Sequence, residues 1–316
     1  DDLLITDDNV FGTPREDAFR RDFTINALFY NIADYSVIDY VGGIEDLERR
    51  LLRVIGEPEV RFREDPIRMT RACELAGRLG LSIESETQRA IYEQREELLK
   101  AAPARLTEEL LGILRSGRAG ATVQWMLELG LVDVALPEVR ALLEVERLGL
   151  GRYGEVLPVL DERVAAGNEP SEIGLLSALL IGSVVARRQR EQESRGKRLR
   201  GEPLRQVVLD EITPFFQRLT LARAKAEQVA QTMVTLDRIR SESWSETERL
   251  RLAQRAWFPD LLLLLEIVAR AEGDERGDLE AWRRVAANRP PAEERRRRRP
   301  RGRGRPRRRR ARPARR

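Results

Sequence analysis

Across residues 66–271, apolar side chains recur three and four positions apart in one segment after another, the spacing of helices that bury a single face. A chain patterned in this way has to pack helix on helix, so most of the molecule is predicted to be α-helical. The amphipathic segments are 84–100, 106–116, 121–129 (closed by Gly130), 170–185, 203–219, 222–240 and 245–271. Residues 187–201 are so highly charged that they read as a solvated loop or a frayed helix end. Ahead of Pro66 the pattern differs. Residues 23–30 are apolar nearly all round at helical spacing, which predicts a buried helix. Residues 36–40 read as a short strand running into the turn Val41-Gly42-Gly43.

Composition narrows the chemistry. The 316 residues exceed one small core, and 35% charged with 5% aromatic suits helical structure better than a β-sandwich. There is no histidine, which excludes Ser-His-Asp catalysis and histidine metal ligands. A single cysteine, Cys73, excludes an internal disulfide and fits a reducing, cytoplasmic setting. No apolar run approaches the roughly 18–20 residues of a membrane span; Leu261 to Leu265 stops at Glu266. The chain starts Asp1-Asp2-Leu3 without methionine, which reads as a fragment.

Three stretches could carry function. In Arg63-Glu64-Asp65-Pro66-Ile67-Arg68-Met69-Thr70-Arg71, the stripe Met69, Ala72, Leu75, Ala76 and Leu79 has Asp65 and Arg68 on its own azimuth. Asp65 and Pro66 suit a helix start, with Arg68 and Arg71 on the surface. The same azimuth equally suits Asp65 and Arg68 as an acceptor and a donor for a planar ligand edge. In Glu16-Asp17-Ala18-Phe19-Arg20-Arg21-Asp22-Phe23-Thr24-Ile25-Asn26, two arginines and an aspartate lead into an apolar segment. Arginine forks suit phosphate and an aspartate beside them suits a divalent metal, whereas the plain alternative is a capping Asp22 with solvated arginines. The third stretch, 295–316, holds fifteen arginines and no acid, among them Arg295, Arg296, Arg297, Arg298, Arg299, Arg307, Arg308, Arg309 and Arg310. Taking those fifteen from the net +4 leaves the residues before them at −11. Such a tail cannot bury a core and is expected to be disordered and to bind nucleic-acid phosphates without sequence preference, the plain alternative being an uninvolved solubilising tail. Trp125, Trp244, Trp257 and Trp282 read as packing residues, and Cys73 as a small buried hydrophobe.

The order of Arg20-Arg21-Asp22-Phe23-Thr24-Ile25-Asn26-Ala27-Leu28, Asp39-Tyr40-Val41-Gly42-Gly43 and Arg63-Glu64-Asp65-Pro66-Ile67-Arg68-Met69 resembles the class II tRNA nucleotidyltransferase/poly(A) polymerase family. The bacterial poly(A) polymerase branch is the nearest in character. The resemblance implies a mostly α chain: residues 1–55 as the C-terminal remnant of an α/β nucleotidyltransferase head, 56–140 as a helical neck that reads the nucleobase and binds RNA, 141–290 as a helical body, and 291–316 as the disordered Arg-rich tail. It implies template-independent transfer of AMP from ATP to RNA 3′ ends, with Mg²⁺ as cofactor. Arg21 then corresponds to a triphosphate ligand, Asp22 to an active-site acid, Asp65 and Arg68 to the base-reading pair, and Arg71 to a further nucleotide contact. Two departures stand out. The family's Gly-Gly-x-x-Arg-Asp loop and metal-holding Asp-x-Asp strand do not occur, so metal ligands are expected upstream of Asp1 and the chain alone is expected to be inactive. Glu74 stands where the family usually has another arginine. The alternatives are a CCA-adding enzyme and a non-catalytic RNA-binding protein derived from the family.

Overall fold

Thr13 opens the first described helix by a reciprocal cap. Its hydroxyl accepts from the Glu16 N–H at 3.3 Å while the Glu16 carboxylate accepts from the Thr13 N–H at 2.6 Å. The computed structural model describes residues 12–138, 155–274 and 277–288; the predicted arginine tail, 295–316, lies outside them. Helix α1, Pro14–Arg20, ends where the chain turns extended at Arg21.

Residues 23–30 do not form the predicted helix. Phe23 bridges to Val54, Thr24–Asn26 is one 3₁₀ turn, and Leu28–Tyr30 is strand β1, antiparallel to β2, Val37–Asp39, with Phe29 opposite Ile38. A short apolar run carries too little periodicity to separate strand from helix, and the turn beyond it decides. There Asn31 Oδ1 accepts from the Ala33 N–H and Asp34 Oδ1 from the Ser36 N–H, fixing the reversal that pairs the strands.

After β2, the Asp39 carboxylate accepts from the N–H groups of Val41, Gly42 and Ile44 at 3.0, 3.0 and 2.9 Å. Burial alone would raise its pKa; these donors outweigh it and hold the group below the usual aspartate range. Gly42 takes φ +84°, and a Cβ on Gly43 would lie 2.3 Å from the Thr24 carbonyl oxygen, so both glycines are required by the turn. Helix α2, Gly43–Glu48, follows. Its Asp46 is buried and accepts from Thr24 Oγ1 at 2.6 Å and Arg53 Nε at 3.0 Å. Strand β3, Leu51–Leu52, pairs in parallel with β4, Ser82–Ile83.

Helices α3, Pro58–Glu64, and α4, Ile67–Leu79, meet at Asp65-Pro66. The predicted stripe of α4 is buried at Met69, Ala72, Leu75 and Ala76, while Leu79 at its end is exposed. The stripe packs on α7, Ala119–Glu128. Close approach there depends on Gly77, where a Cβ would meet the Thr122 nitrogen at 2.6 Å. Between them lie α5, Ser85–Gln94, a 3₁₀ segment, Arg95–Lys100, and α6, Pro103–Arg115; α8, Leu131–Ala135, closes this part.

The described residues that follow form α9, Val156–Ala165; α10, Glu172–Arg195; α11, Gly201–Arg218; α12, Arg223–Ser241; α13, Glu246–Ala253; α14, Phe258–Glu272; and α15, Asp278–Ala287. Residues 187–195 are helix rather than loop, because Glu191 pairs one turn away on either side, with Arg187 at 3.1 Å and Arg195 at 3.0 Å. The segment 245–271 is two helices, broken ahead of Phe258 and Pro259. Trp282 is fully buried, with ring centroids 5.8 Å from Trp244 and 5.9 Å from Phe258, a packing role as predicted. Cys73 is buried and its thiol pKa is pushed far up by desolvation, which leaves it unreactive. No helix among the described residues is long and apolar enough to cross a membrane. The mostly helical architecture with a small strand-bearing N-terminal part is as the sequence led us to expect.

Candidate functional site

Backbone pairing puts Asp22 in place. The Ile55 N–H donates to the Asp22 carbonyl at 3.1 Å and the Thr24 N–H to the Arg53 carbonyl at 3.0 Å, so residues 22–24 are held against 53–55. Phe23 goes fully into the core, and the carboxylate of Asp22 turns toward α4. There Arg68 Nε donates to Oδ1 at 2.8 Å and Arg71 Nη1 to Oδ2 at 2.9 Å. Asp22 is therefore not a helix cap but the acceptor of two guanidiniums one helical turn apart.

Arg68 is only 5% exposed, as the azimuth argument required. A buried guanidinium is stable only when its donors are satisfied. Besides Asp22, Arg68 Nη1 donates to Glu64 at 3.1 Å and to the Arg61 carbonyl at 2.9 Å. Arg61 extends the network: Nη1 donates to Glu64 at 2.7 Å, and Nη2 to the carbonyls of Arg20 and Arg21, both at 2.8 Å. Neither the bond across the α3–α4 junction to Glu64 nor the grip of Arg61 on two carbonyls some forty residues earlier had a signal in the sequence.

The other sequence-predicted residues are spread around this centre. Asp65 is not the N-cap of α4, which is Pro66; its Oδ1 accepts from the Ile67 N–H at 3.3 Å two residues on, and Oδ2 accepts from Arg105 Nη2 at 2.8 Å. Arg21 folds back on its own segment, donating to Asp17 at 3.0 Å and to the Asn26 carbonyl at 2.6 Å, with its guanidinium 5.0 Å from the Phe29 ring centroid. The structure thus brings Asp22, Arg68 and Arg71 together, and turns Asp65 and Arg21 toward other partners.

Beside the Asp22 pairs lies an open cleft of about 380 Å³, lined by Asp22, Asn26, Arg71, Glu74, Glu108 and Glu109 among others. Arg71, half-exposed, is its cation. Burial works against the charge on Arg71, but the hydrogen bond to Asp22 and the charges of Asp22, Glu109 and Asp65 more than restore it. Glu109 lies 3.9 Å from Arg71 Nε, and desolvation raises its carboxyl above the ordinary glutamate range. Glu74 pairs with Arg78 at 2.7 Å, a surface i, i+4 pair. Such a cleft can anchor an anionic group on Arg71 and offer Asn26 and the carboxylates to a donor-rich edge. Glu108 and Glu109 have no signal in the sequence, because the fold alone brings α6 opposite α4. Among the described residues, no group of three or more histidine, cysteine, aspartate or glutamate side chains is placed to hold a metal ion.

Residues 5–53 match the family described as the poly A polymerase head domain, and residues 80–143 the one described as a probable RNA and SrmB-binding site of polymerase A. Poly(A) polymerase I of Salmonella typhi and of Escherichia coli O6:H1 are each 45% identical over 136 residues, 43% of this chain and 29% of theirs. A CCA-adding enzyme of Bacillus velezensis is 39% identical over 118 residues, 37% of this chain and 30% of its own. The aligned part thus spans under a third of these curated relatives. In fold, the chain is similar to the Bacillus stearothermophilus CCA-adding enzyme crystallised with CTP (TM-score 0.56, 24% identity, 88% of this chain and 60% of that one). It is also similar to a tRNA nucleotidyltransferase complexed with a primer tRNA and an incoming ATP analog (TM-score 0.51, 21% identity, 89% and 74%). Residues 5–53 and 80–143, which contribute Asp22 and Glu109 to the site, are thus similar to the two poly(A) polymerase family models.

Proposed function

We propose that the chain comes from a nucleotidyltransferase that adds AMP from ATP to RNA 3′ ends without a template, releasing pyrophosphate. The observation that carries the reading is the single carboxylate of Asp22 held by Arg68 and Arg71 beside an open cleft, at positions where the family resemblance lies. In this proposal Arg71 anchors the nucleotide, Asp22 orients it, and Arg21 meets the triphosphate after leaving Asp17. Asp65 and Arg68 read the base edge. Arg68 spends Nε and Nη1 on three acceptors, so in this proposal it meets the base edge with Nη2. Residues 1–55, 56–140 and 141–290 serve as head, neck and body, and the arginines of 295–316 hold RNA phosphates. Mg²⁺ and a cytoplasmic setting belong to the whole enzyme in this proposal.

CCA addition to tRNA is the second reading, favoured by the CCA-adding relative and the two solved folds. Primer extension by the full-length protein separates the two. An unstructured RNA primer with ATP alone is expected to gain a long adenosine tail. Extension confined to tRNA lacking CCA, and requiring CTP with ATP, would sink the poly(A) reading.

A further inference from the structure

A second charged constellation lies in the helical body, between α10, α11 and α12. Asp237 is 7% exposed, and its Oδ1 accepts from both Arg188 Nη1 and Arg198 Nη2, each at 3.1 Å. Two guanidiniums against one carboxylate leave one positive charge over. The neighbouring Arg240 adds nothing to that surplus, because Glu272 answers it at 2.7 Å. Arg188 Nε is buried without a hydrogen-bond partner, a condition that costs free energy unless something accepts from it. These groups line a cavity of about 200 Å³ whose remaining surface is aliphatic and buried, chiefly Ile181, Val184, Val208, Met233, Leu236 and Val268. Concave apolar walls with a few convergent polar groups are the ordinary make-up of a small-molecule site.

We propose that this cavity binds a small monoanionic carboxylate with a hydrocarbon body. The carboxylate takes donors from Arg188 and Arg198, and the hydrocarbon lies on the aliphatic walls. One surplus charge suits a monoanion, and the planar guanidinium fork suits a planar carboxylate. A phosphate dianion matches neither the charge nor the walls. The site shares no residue with the Asp22 cleft, so it stands or falls separately from the proposed reaction.

The test is a titration of the full chain with hexanoate, followed by methyl resonances, with acetate and inorganic phosphate as parallel arms. Saturable shifts at Ile181, Val184 and Met233 with hexanoate alone are expected. Arg198→Met is expected to weaken binding at least about tenfold, the loss of a charge-assisted contact. Arg198 is half-exposed, so this variant keeps the fold, and unchanged resonances elsewhere verify it. No saturation with hexanoate, equal shifts with phosphate, or undiminished binding in Arg198→Met overturns the proposal.

Discussion

Glu109 faces Arg71 from α6, and burial, reinforced by the charges of Glu74 and Asp65, lifts its carboxyl despite the pull of Arg71 and Arg105. A carboxyl whose folded pKa is raised stabilises the fold fully below its unfolded pKa, and that contribution disappears as pH rises through the folded value. At neutral pH the ionised group therefore costs stability. Glu109→Gln is expected to raise the urea midpoint at pH 7, and the gain is expected to vanish near about pH 4, where both side chains are neutral. A gain independent of pH would show that packing, not charge, is responsible. Asp22 was legible within its own Arg-Arg-Asp stretch and Arg68 and Arg71 within theirs, but not that the two stretches meet, 46 and 49 residues apart. The sequence was silent on Glu109 and Arg105, since contacts across some forty residues depend on how helices are packed and not on any periodicity within them.

Elements show where pattern reading fails. Residues 23–30 looked helical because nearly every position is apolar, yet the chain divides them among a bridge, a 3₁₀ turn and a strand. The cause lies outside the segment: the Asx-type turns at Asn31 and Asp34 return β2 onto β1, and tertiary pairing overrides propensity. In residues 187–195 only the loop alternative is overturned: the charged run is the end of a helix whose charges are spaced by four. The turn between β2 and α2 was legible as a turn but not as a contact. Since a Cβ at Gly43 would sit 2.3 Å from the Thr24 carbonyl, Gly43→Ala has to separate α2 from the 3₁₀ turn. We expect a loss of about 3 kcal/mol in chemical denaturation, the upper range for overpacking. A loss below about 1 kcal/mol would mean that the turn yields without disturbing the Thr24–Asp46–Arg53 contacts.

At the scale of the molecule, the helical build followed from the sequence because amphipathic spacing persists over two hundred residues, where chance agreement is small. The tail belongs to the same scale, since its fifteen arginines stand against an acidic remainder. Deleting 295–316 is expected to weaken RNA binding and to lower the slope of log affinity against log salt by about 3 if four arginines engage phosphates. An unchanged slope would make the tail a bystander.

The clamp on Asp22 also sets an order in time. Asp22 is synthesised 46 residues before Arg68 and 49 before Arg71, and its backbone partner Ile55 comes between them. As the chain emerges from the ribosome, the 22–24 segment can first meet 53–55. It is then locked from α4, and only afterwards does β4 arrive to pair with β3. Until α4 is out, the carboxylate at the edge of the cleft has no guanidinium to hold it. The N-terminal part of this protein is therefore finished by the helix that follows it, and a nascent chain stopped before Arg68 has Asp22 but neither of its guanidiniums.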